Sequence, residues 1–361
     1  MCKYIYKVQS YTMRHGIKTL FLLFTILTLT GCATSTTSSK KGRLHTVAFY
    51  NTERLYDINN SPSANDDAFT PSGAMQWDEE RYQVKLEHLA SVIATMGDKE
   101  GPVLIGLSEV ENHQVLRDLV NSEALLKNKY GIIHYESEDP QGLDVALLYR
   151  PKFFSLTSQE NISINFPGAS FKSRGILKVK GVLQGEEITV YVNHWPPKYR
   201  NSFEGERRLR AAATELRKQI DAQQAVNKDA KIIVMGDFDA EPSANILKDV
   251  LNATGRPNPY YNKELFNPFY IYDVQGTGSY LNRGSFEMLD QILISKSLVD
   301  GSSLQYVRGS ATIHATNEIK FLFGKYKNTP KPTFSGATYM SGYSDHFPVY
   351  IKLQNRKRQL Q

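Results

Sequence analysis

Residues Ile232–Pro242 read Ile-Ile-Val-Met-Gly-Asp-Phe-Asp-Ala-Glu-Pro. An uninterrupted apolar run rich in β-branched residues describes a strand buried on both faces, as in a sheet covered by other layers. Gly236 permits a tight turn, and Asp237 and Asp239 then alternate along the backbone, so the strand delivers carboxylates to a sheet edge. The pattern recurs through the chain. Leu44–Tyr50 runs into Asn51-Thr52-Glu53, Val103–Leu107 into Ser108-Glu109-Val110-Glu111-Asn112, and Ile188–Val192 into Asn193-His194-Trp195-Pro196. Asp290 precedes the strand Gln291–Ile294, and Ser344-Asp345-His346 precedes Phe347-Pro348-Val349.

Helical spacing separates these strands. Tyr82, Leu86, Leu89, Ile93 and Met96 repeat at the period of one helix face behind a candidate N-cap, Asp78. Leu209, Ala213, Leu216 and Ile220 do the same within a charged helix spanning Glu204–Val226. Asp144–Tyr149 is a further strand, and no interdomain linker follows Gly42. The stretch Arg256–Ser285, rich in Asn, Pro, Tyr and Gly, reads as a long loop bordering a site. The expected fold class is α/β, one domain over residues 44–353 with large sheets packed inside helices.

The 361 residues carry 11% aromatics, 21 Tyr and 17 Phe among them, which is far more buriable surface than a disordered chain has. The net charge of +6 suggests a polyanion partner until the charges are located. Ten of the 43 Lys and Arg residues lie outside 44–353 and none of the 37 acids does, so the body carries a net charge of about −4. A generic polyanion-binding face is not supported, and phosphate chemistry there requires a local site or a metal. The two cysteines, Cys2 and Cys32, both precede the body, which rules out disulfides, thiol nucleophiles and Cys-type zinc sites within it.

The N-terminus reads as an export signal. Arg14, His15 and Lys18 precede an apolar run, Leu20–Thr30, too short to span a hydrocarbon core of ~30 Å but right for a signal. It ends in Leu29-Thr30-Gly31-Cys32, which looks like a bacterial lipobox. The expectation is a lipoprotein signal peptide over 1–31, acylation of Cys32, a flexible tether over 32–43, and a basic tail over 354–361. An uncleaved anchor or an ordinary secretory signal with a chance cysteine is the alternative. The first reading places the protein in the cell envelope, held to the membrane by its N-terminal lipid only.

Taken singly, each acidic strand end is also compatible with a turn or a cap, and His194 or His346 alone with a structural histidine. The recurrence of Asn, Glu, His and Asp at strand ends is what points to a catalytic edge. Phe49–Asp57 (FYNTERLYD), Gly106–Asn112 (GLSEVEN), Leu143–Pro151 (LDVALLYRP), Val192–Pro196 (VNHWP), Gly236–Pro242 (GDFDAEP) and Tyr343–Val349 (YSDHFPV) together resemble the endonuclease/exonuclease/phosphatase superfamily of metal-dependent phosphoesterases, in the family's order.

The resemblance implies a four-layer sandwich, two mixed β-sheets packed face to face and flanked by helices, in a monomer. It implies Mg²⁺- or Mn²⁺-assisted hydrolysis of a phosphate ester, with one or two ions. Glu109 would be the principal metal ligand, with Asn51 orienting it or the phosphate and Glu53 or Asp345 adding ligands or supporting hydrogen bonds around the metal. Asp237 would orient or deprotonate the attacking water, and His346, oriented by Asp290, would hydrogen-bond a non-bridging oxygen. In the pancreatic-deoxyribonuclease branch, the histidine matching His194 protonates the leaving oxygen. Arg174 would grip phosphate by a bidentate fork, unless it is simply a surface arginine, and Asn193 would contact substrate beside it. Trp195 and Tyr149 would either stack on a base or pack in the core. Asp239 stands where the family usually has Asn, replacing an amide donor with an anion. The implied partner is a phosphate ester: nucleic acid, nucleotide or phospholipid head group. A catalytically weakened relative that binds a ligand or partner in the same cleft is the second expectation.

Overall fold

The computed structural model of the chain describes residues 42–167, 171–197, 202–256 and 263–355. The expected signal peptide, Cys32, most of the tether and the tail from residue 356 lie outside the described residues. Among those described, no helix is long and apolar enough to cross a membrane.

Two mixed sheets of seven strands dominate. The first takes β1 (Leu44–Leu55), β2 (Leu104–Val110), β3 (Gly131–His134) and β4 (Asp144–Tyr149), and from far along the chain β14 (Leu304–Tyr306), β15 (Thr312–Ile313) and β18 (Val349–Asn355). Their order is β14-β18-β1-β2-β4-β3, with β15 paired to β18. The second takes β5 (Phe154–Ile162), β6 (Ile176–Leu183), β7 (Glu186–His194), β8 (Lys231–Asp237), β9 (Ala253–Thr254), β10 (Leu265–Phe266) and β13 (Asp290–Ser295), ordered β5-β6-β7-β8-β13-β10-β9. Two small ribbons complete the strands, β11 (Tyr280–Asn282) with β12 (Ser285–Glu287) and β16 (Phe334–Ser335) with β17 (Thr338–Tyr339).

Alternation along the central strands builds the layers. Val47 and Phe49 of β1 join Val190, Val192, Ile233, Met235 and Ile292 in the core between the sheets. Ala48 and Tyr50 face the opposite way, onto Leu86, Leu89 and Ile93 of α1 (Glu79–Thr95) and Leu116 and Leu119 of α2 (His113–Asn121). In β8 the alternate residues Ile232 and Val234 meet Leu209, Ala213, Leu216 and Ile220. Those belong to the long helix Phe203–Val226. The result is helix, sheet, sheet, helix, and each fully buried Leu or Ile contributes roughly 1.5–3 kcal/mol by leaving water. The sheets approach so closely that a Cβ at Gly106 would lie 2.6 Å from Met235 Sδ.

Asp78 caps α1 by accepting from Arg81 N. The long helix is capped by Ser202, whose side chain accepts from Gly205 N. Three sequence expectations change. Gly236 makes no turn: it lies inside β8, and its missing side chain admits the neighbouring strand, since a Cβ would sit 2.4 Å from Asn193 O. β18 runs to Asn355, two residues past the expected domain end. The stretch Arg256–Ser285 is not all loop, because Leu265–Phe266, Tyr270–Val274 and Tyr280–Asn282 are ordered into strand, helix and strand.

Candidate active site

The parallel pair β7 and β8 ends in register, His194 beside Asp237, and β13 begins at Asp290 directly across from Asp237. The second sheet thus presents two carboxylates and an imidazole at one edge. The first sheet reaches the same place by irregular backbone. β1 and β2 do not stop at Asn51 and Ser108 but continue through register shifts, with Glu53, Arg54 and Glu109 in the left-handed region at φ 51°, 56° and 59°. Such bulges re-aim side chains next to active sites at a cost of order 1–3 kcal/mol per strained residue.

Asn51 joins the two halves. Its fully buried amide donates to Glu109 Oε1 and to Asp237 Oδ2, both at 3.0 Å, and its Oδ1 accepts from Glu53 N. Arg54 N donates to Glu109 Oε2 at 3.0 Å. Ser344 ties in the last segment, donating to Asn51 O and accepting from His346 N. His346 Nδ1 lies 2.6 Å from Asp290 Oδ2, and its Nε2 faces Asp237 Oδ2 at 3.9 Å and Asp345 Oδ1 at 4.0 Å. Tyr280 stacks on the His346 ring with centroids 4.6 Å apart.

The charges are crowded. Asp237 is pushed up to about 7, first by burial, then by Asp290 and Asp239, against the opposing pull of His346 and Asn51. Asp345 is likewise raised to about 7 by desolvation, Glu53 and Glu109, against His346 and Lys85. Burial alone would lower His346, but the charge and hydrogen bond of Asp290, with Asp345 and Asp237, hold it well above its ordinary value as a cation. His194 goes the other way, held well below the ordinary value by burial, Arg174 and His346. Their surroundings push the two imidazoles in opposite directions, His346 toward the cation and His194 toward the neutral ring.

Several predicted residues stand elsewhere. Glu53 turns its carboxylate toward the start of β16, accepting from Thr333 N at 2.6 Å and Phe334 N at 3.2 Å beside the buried Lys85 ammonium at 3.8 Å. Lys85 also donates to Thr333 Oγ1 and Tyr343 O, so the pair braces the segment carrying Asp345 and His346. Asn193 is fully buried: its amide reaches Tyr191 O and Met235 O, and its Oδ1 accepts from Trp195 Nε1, which leaves no surface for substrate. Trp195 is core, packed edge-on against Phe238, and Tyr149 packs on Phe154. Arg174 is buried too, bonded to His194 and Asp139. Sequence reasoning missed Asp139, Tyr280 and Lys85. Only Tyr280 carried a signal, through its place in the stretch expected to border a site.

A divalent cation fits this donor set. Carboxylate oxygens of Asp237 and Asp290 lie within 4.8 Å of each other. Asp290 Oδ1 is buried without a hydrogen-bond partner. Carboxyls raised to about 7 by burial and then by their acidic neighbours are what an added positive charge would relieve. A second cluster, His134, Glu136 and Asp144, is different: Asp144 faces Nε2 and Glu136 faces Nδ1, on opposite sides of the ring. Beside the site, a cavity of about 870 Å³ is lined by Glu206, Asp239, Glu241 and Glu287 with a single cationic residue, Arg283.

Two helix-flanked sheets converge acids and imidazoles on one edge, the arrangement the resemblance to the phosphoesterases implies. The chain belongs to the Endonuclease/Exonuclease/phosphatase family, which it matches over residues 46–355. No curated protein sequence matches it. Among solved structures, the human Nocturnin catalytic domain with bound sulfate is 16% identical with a TM-score of 0.52, over 87% of this chain and 95% of that one. The Bacteroides thetaiotaomicron mannosyl-6-phosphatase is 17% identical with a TM-score of 0.51, over 86% and 99%. D. rerio TDP2 complexed with single strand DNA product is 13% identical with a TM-score of 0.51, again over 86% and 99%.

Proposed function

We propose that the protein is a Mg²⁺- or Mn²⁺-dependent phosphodiesterase of the cell envelope, endonuclease-like in its chemistry and tethered through acylated Cys32. The observation that carries this reading is the Asn51 amide, which clamps Glu109 of one sheet to Asp237 of the other beside the Asp290–His346 pair. Asp237 and the unpartnered oxygen of Asp290, with Glu109 clamped beside Asp237 by Asn51, are the residues that would hold the cation. When bound, it polarises a phosphoryl oxygen and offsets charge built up in the transition state.

The protein groups have separate tasks. Asp237, held by the Asn51 amide where the two sheets meet, orients the attacking water and takes its proton. Cationic His346, fixed by Asp290, donates from Nε2 to a non-bridging oxygen. Asn51 keeps Glu109 and Asp237 in place. The acidic cavity beside Asp239 favours small esters, nucleotides or phospholipid head groups, over long polyanions. The TDP2 complex holds a single strand DNA product and the Bacteroides enzyme is a mannosyl-6-phosphatase, so both nucleic acid and sugar monoesters belong in the substrate panel.

Asp239 supports the second reading, a weakened relative that binds without rapid turnover, because a carboxylate there repels the phosphate it borders. One experiment separates the two. A soluble chain starting near Gly42 is assayed with Mg²⁺, Mn²⁺, Ca²⁺ or EDTA on a chromogenic diester, a chromogenic monoester, plasmid DNA and sphingomyelin, with His346→Ala as control. Metal-dependent turnover lost in the variant supports the enzyme. Folded protein without turnover supports the binder. Anchoring is tested by fatty-acid labelling of the full chain, which Cys32→Ser should abolish.

A further inference from the structure

His194 is held from behind by a guanidinium, not a carboxylate. Arg174 Nη1 lies 2.8 Å from His194 Nδ1, and Arg174 Nη2 donates to Asp139 Oδ2 at 2.5 Å. Guanidinium nitrogens carry donors only, so this contact requires a lone pair on Nδ1 and places the ring proton on Nε2. A doubly protonated ring has no acceptor and would lose the bond to Arg174. The opposite nitrogen, Nε2, points into the site, 3.9 Å from both Glu109 Oε1 and Asp237 Oδ2.

Arg174 and Asp139 are both buried, 5% and 8% exposed, and neither is a neighbour of His194 in sequence. Asp139 lies in the connection between β3 and β4, Arg174 just before β6 and His194 at the end of β7. Three segments therefore converge on one imidazole. Asp139 offsets the buried guanidinium charge and orients its plane, leaving Nη1 aimed at Nδ1. Buried and bonded through both terminal nitrogens, Arg174 is placed to hold His194 and not to grip a phosphate.

We propose that Asp139 and Arg174 are positioning residues that lock His194 as the neutral Nε2–H tautomer, making it a fixed hydrogen-bond donor to a phosphoryl oxygen and not the acid that protonates the leaving group. This rests on the reading of the cleft as a phosphodiesterase. It also reassigns Arg174, from gripping substrate to holding the group that does.

The test uses the full chain in detergent, labelled with ¹⁵N-histidine, together with kinetics on two phosphodiesters, one with a p-nitrophenol leaving group and one with an alkyl alcohol. His194→Ala assigns the ring resonances. The expected wild-type spectrum has a pyrrole-type Nε2 and a pyridine-type Nδ1 for His194. Arg174→Met should give mixed tautomers and lower kcat with KM within about twofold, and Asp139→Asn should move both readouts the same way less strongly. Removing a transition-state donor costs about 10²-fold, so His194→Ala should lose about that factor equally on both esters, and His194→Gln, which keeps a donor, should recover much of it.

A doubly protonated His194 ring in the wild type overturns the proposal. So does a loss in His194→Ala far larger for the alkyl ester than for the nitrophenyl ester, the signature of a general acid. If Arg174→Met fails to fold, Asp139→Asn and the wild-type spectrum decide. If the wild type cleaves neither ester, the phosphodiesterase reading fails on its own. The spectrum then decides the lock: a single Nε2–H tautomer sustains it and mixed tautomers refute it.

Discussion

Replacing Asp239 by Asn is the sharpest perturbation of the site. Asp239 follows Asp237 by two residues, donates its backbone N–H to Asp237 Oδ1 at 3.2 Å and helps to push the Asp237 carboxyl up. Its φ of 44° is left-handed, a region Asn and Asp both enter readily, so the exchange adds little backbone strain. Away from chemistry, the change in stability should stay within about 0.5 kcal/mol. In the proposed phosphodiester reaction it removes an anion beside Asp237 and supplies an amide donor. A donor aimed at transition-state charge is worth ~2.7–4 kcal/mol, which sets the expected gain in kcat/KM at up to about 10²–10³-fold. The assay is hydrolysis of bis(p-nitrophenyl) phosphate across a Mg²⁺ titration, with melting temperatures measured in parallel. Slower turnover with unchanged stability would refute the reasoning and point to a second cation held by Asp239.

Asp290→Asn should cut kcat by about 10²–10⁴-fold while leaving KM nearly unchanged, because His346 loses the partner that keeps it cationic, as steady-state kinetics will read. Lys85→Met should cost about 3–5 kcal/mol in urea unfolding, since it strands the buried Glu53 carboxylate. Glu111, buried and raised to about 7 mainly by desolvation, is better protonated when folded than in the unfolded chain. Its penalty is therefore absent below its ordinary carboxylate pKa and grows as pH rises toward about 7, to about 3 kcal/mol. Glu111→Gln should flatten the stability decline between pH 5 and 8 in EDTA, and an unchanged slope would count against that shift.

The strands and the two principal helices were legible because their periods are local properties of the chain, and Asn51, Glu109, Asp237, Asp290, Asp345 and His346 because each adjoins an apolar run. Direction was not legible. Glu53 and Glu109 share residue type and left-handed backbone, yet one carboxylate turns to the backbone of Thr333 and Phe334 while the other faces Asp237 through Asn51. Nothing within a few residues of either distinguishes them; the difference is made by chain some 280 positions away. Asp139 and Arg174 were hidden for the same reason, their pairing being 35 residues apart and their object a third segment. Asn193 misled because an amide beside a catalytic histidine is as useful for knitting β7 to β8 as for holding substrate.

The reactive groups are divided between the sheets, Asn51 and Glu109 on one, with Asp345 and His346 just ahead of its strand β18, and His194, Asp237 and Asp290 on the other, with the tight approach at Gly106 behind them. A chain with only one sheet formed carries half a reaction centre. Hydrolysis is therefore a readout of tertiary docking: partly folded forms in transit are chemically silent, and a mutation that loosens the apolar seam should extinguish turnover before circular dichroism registers any loss of strand.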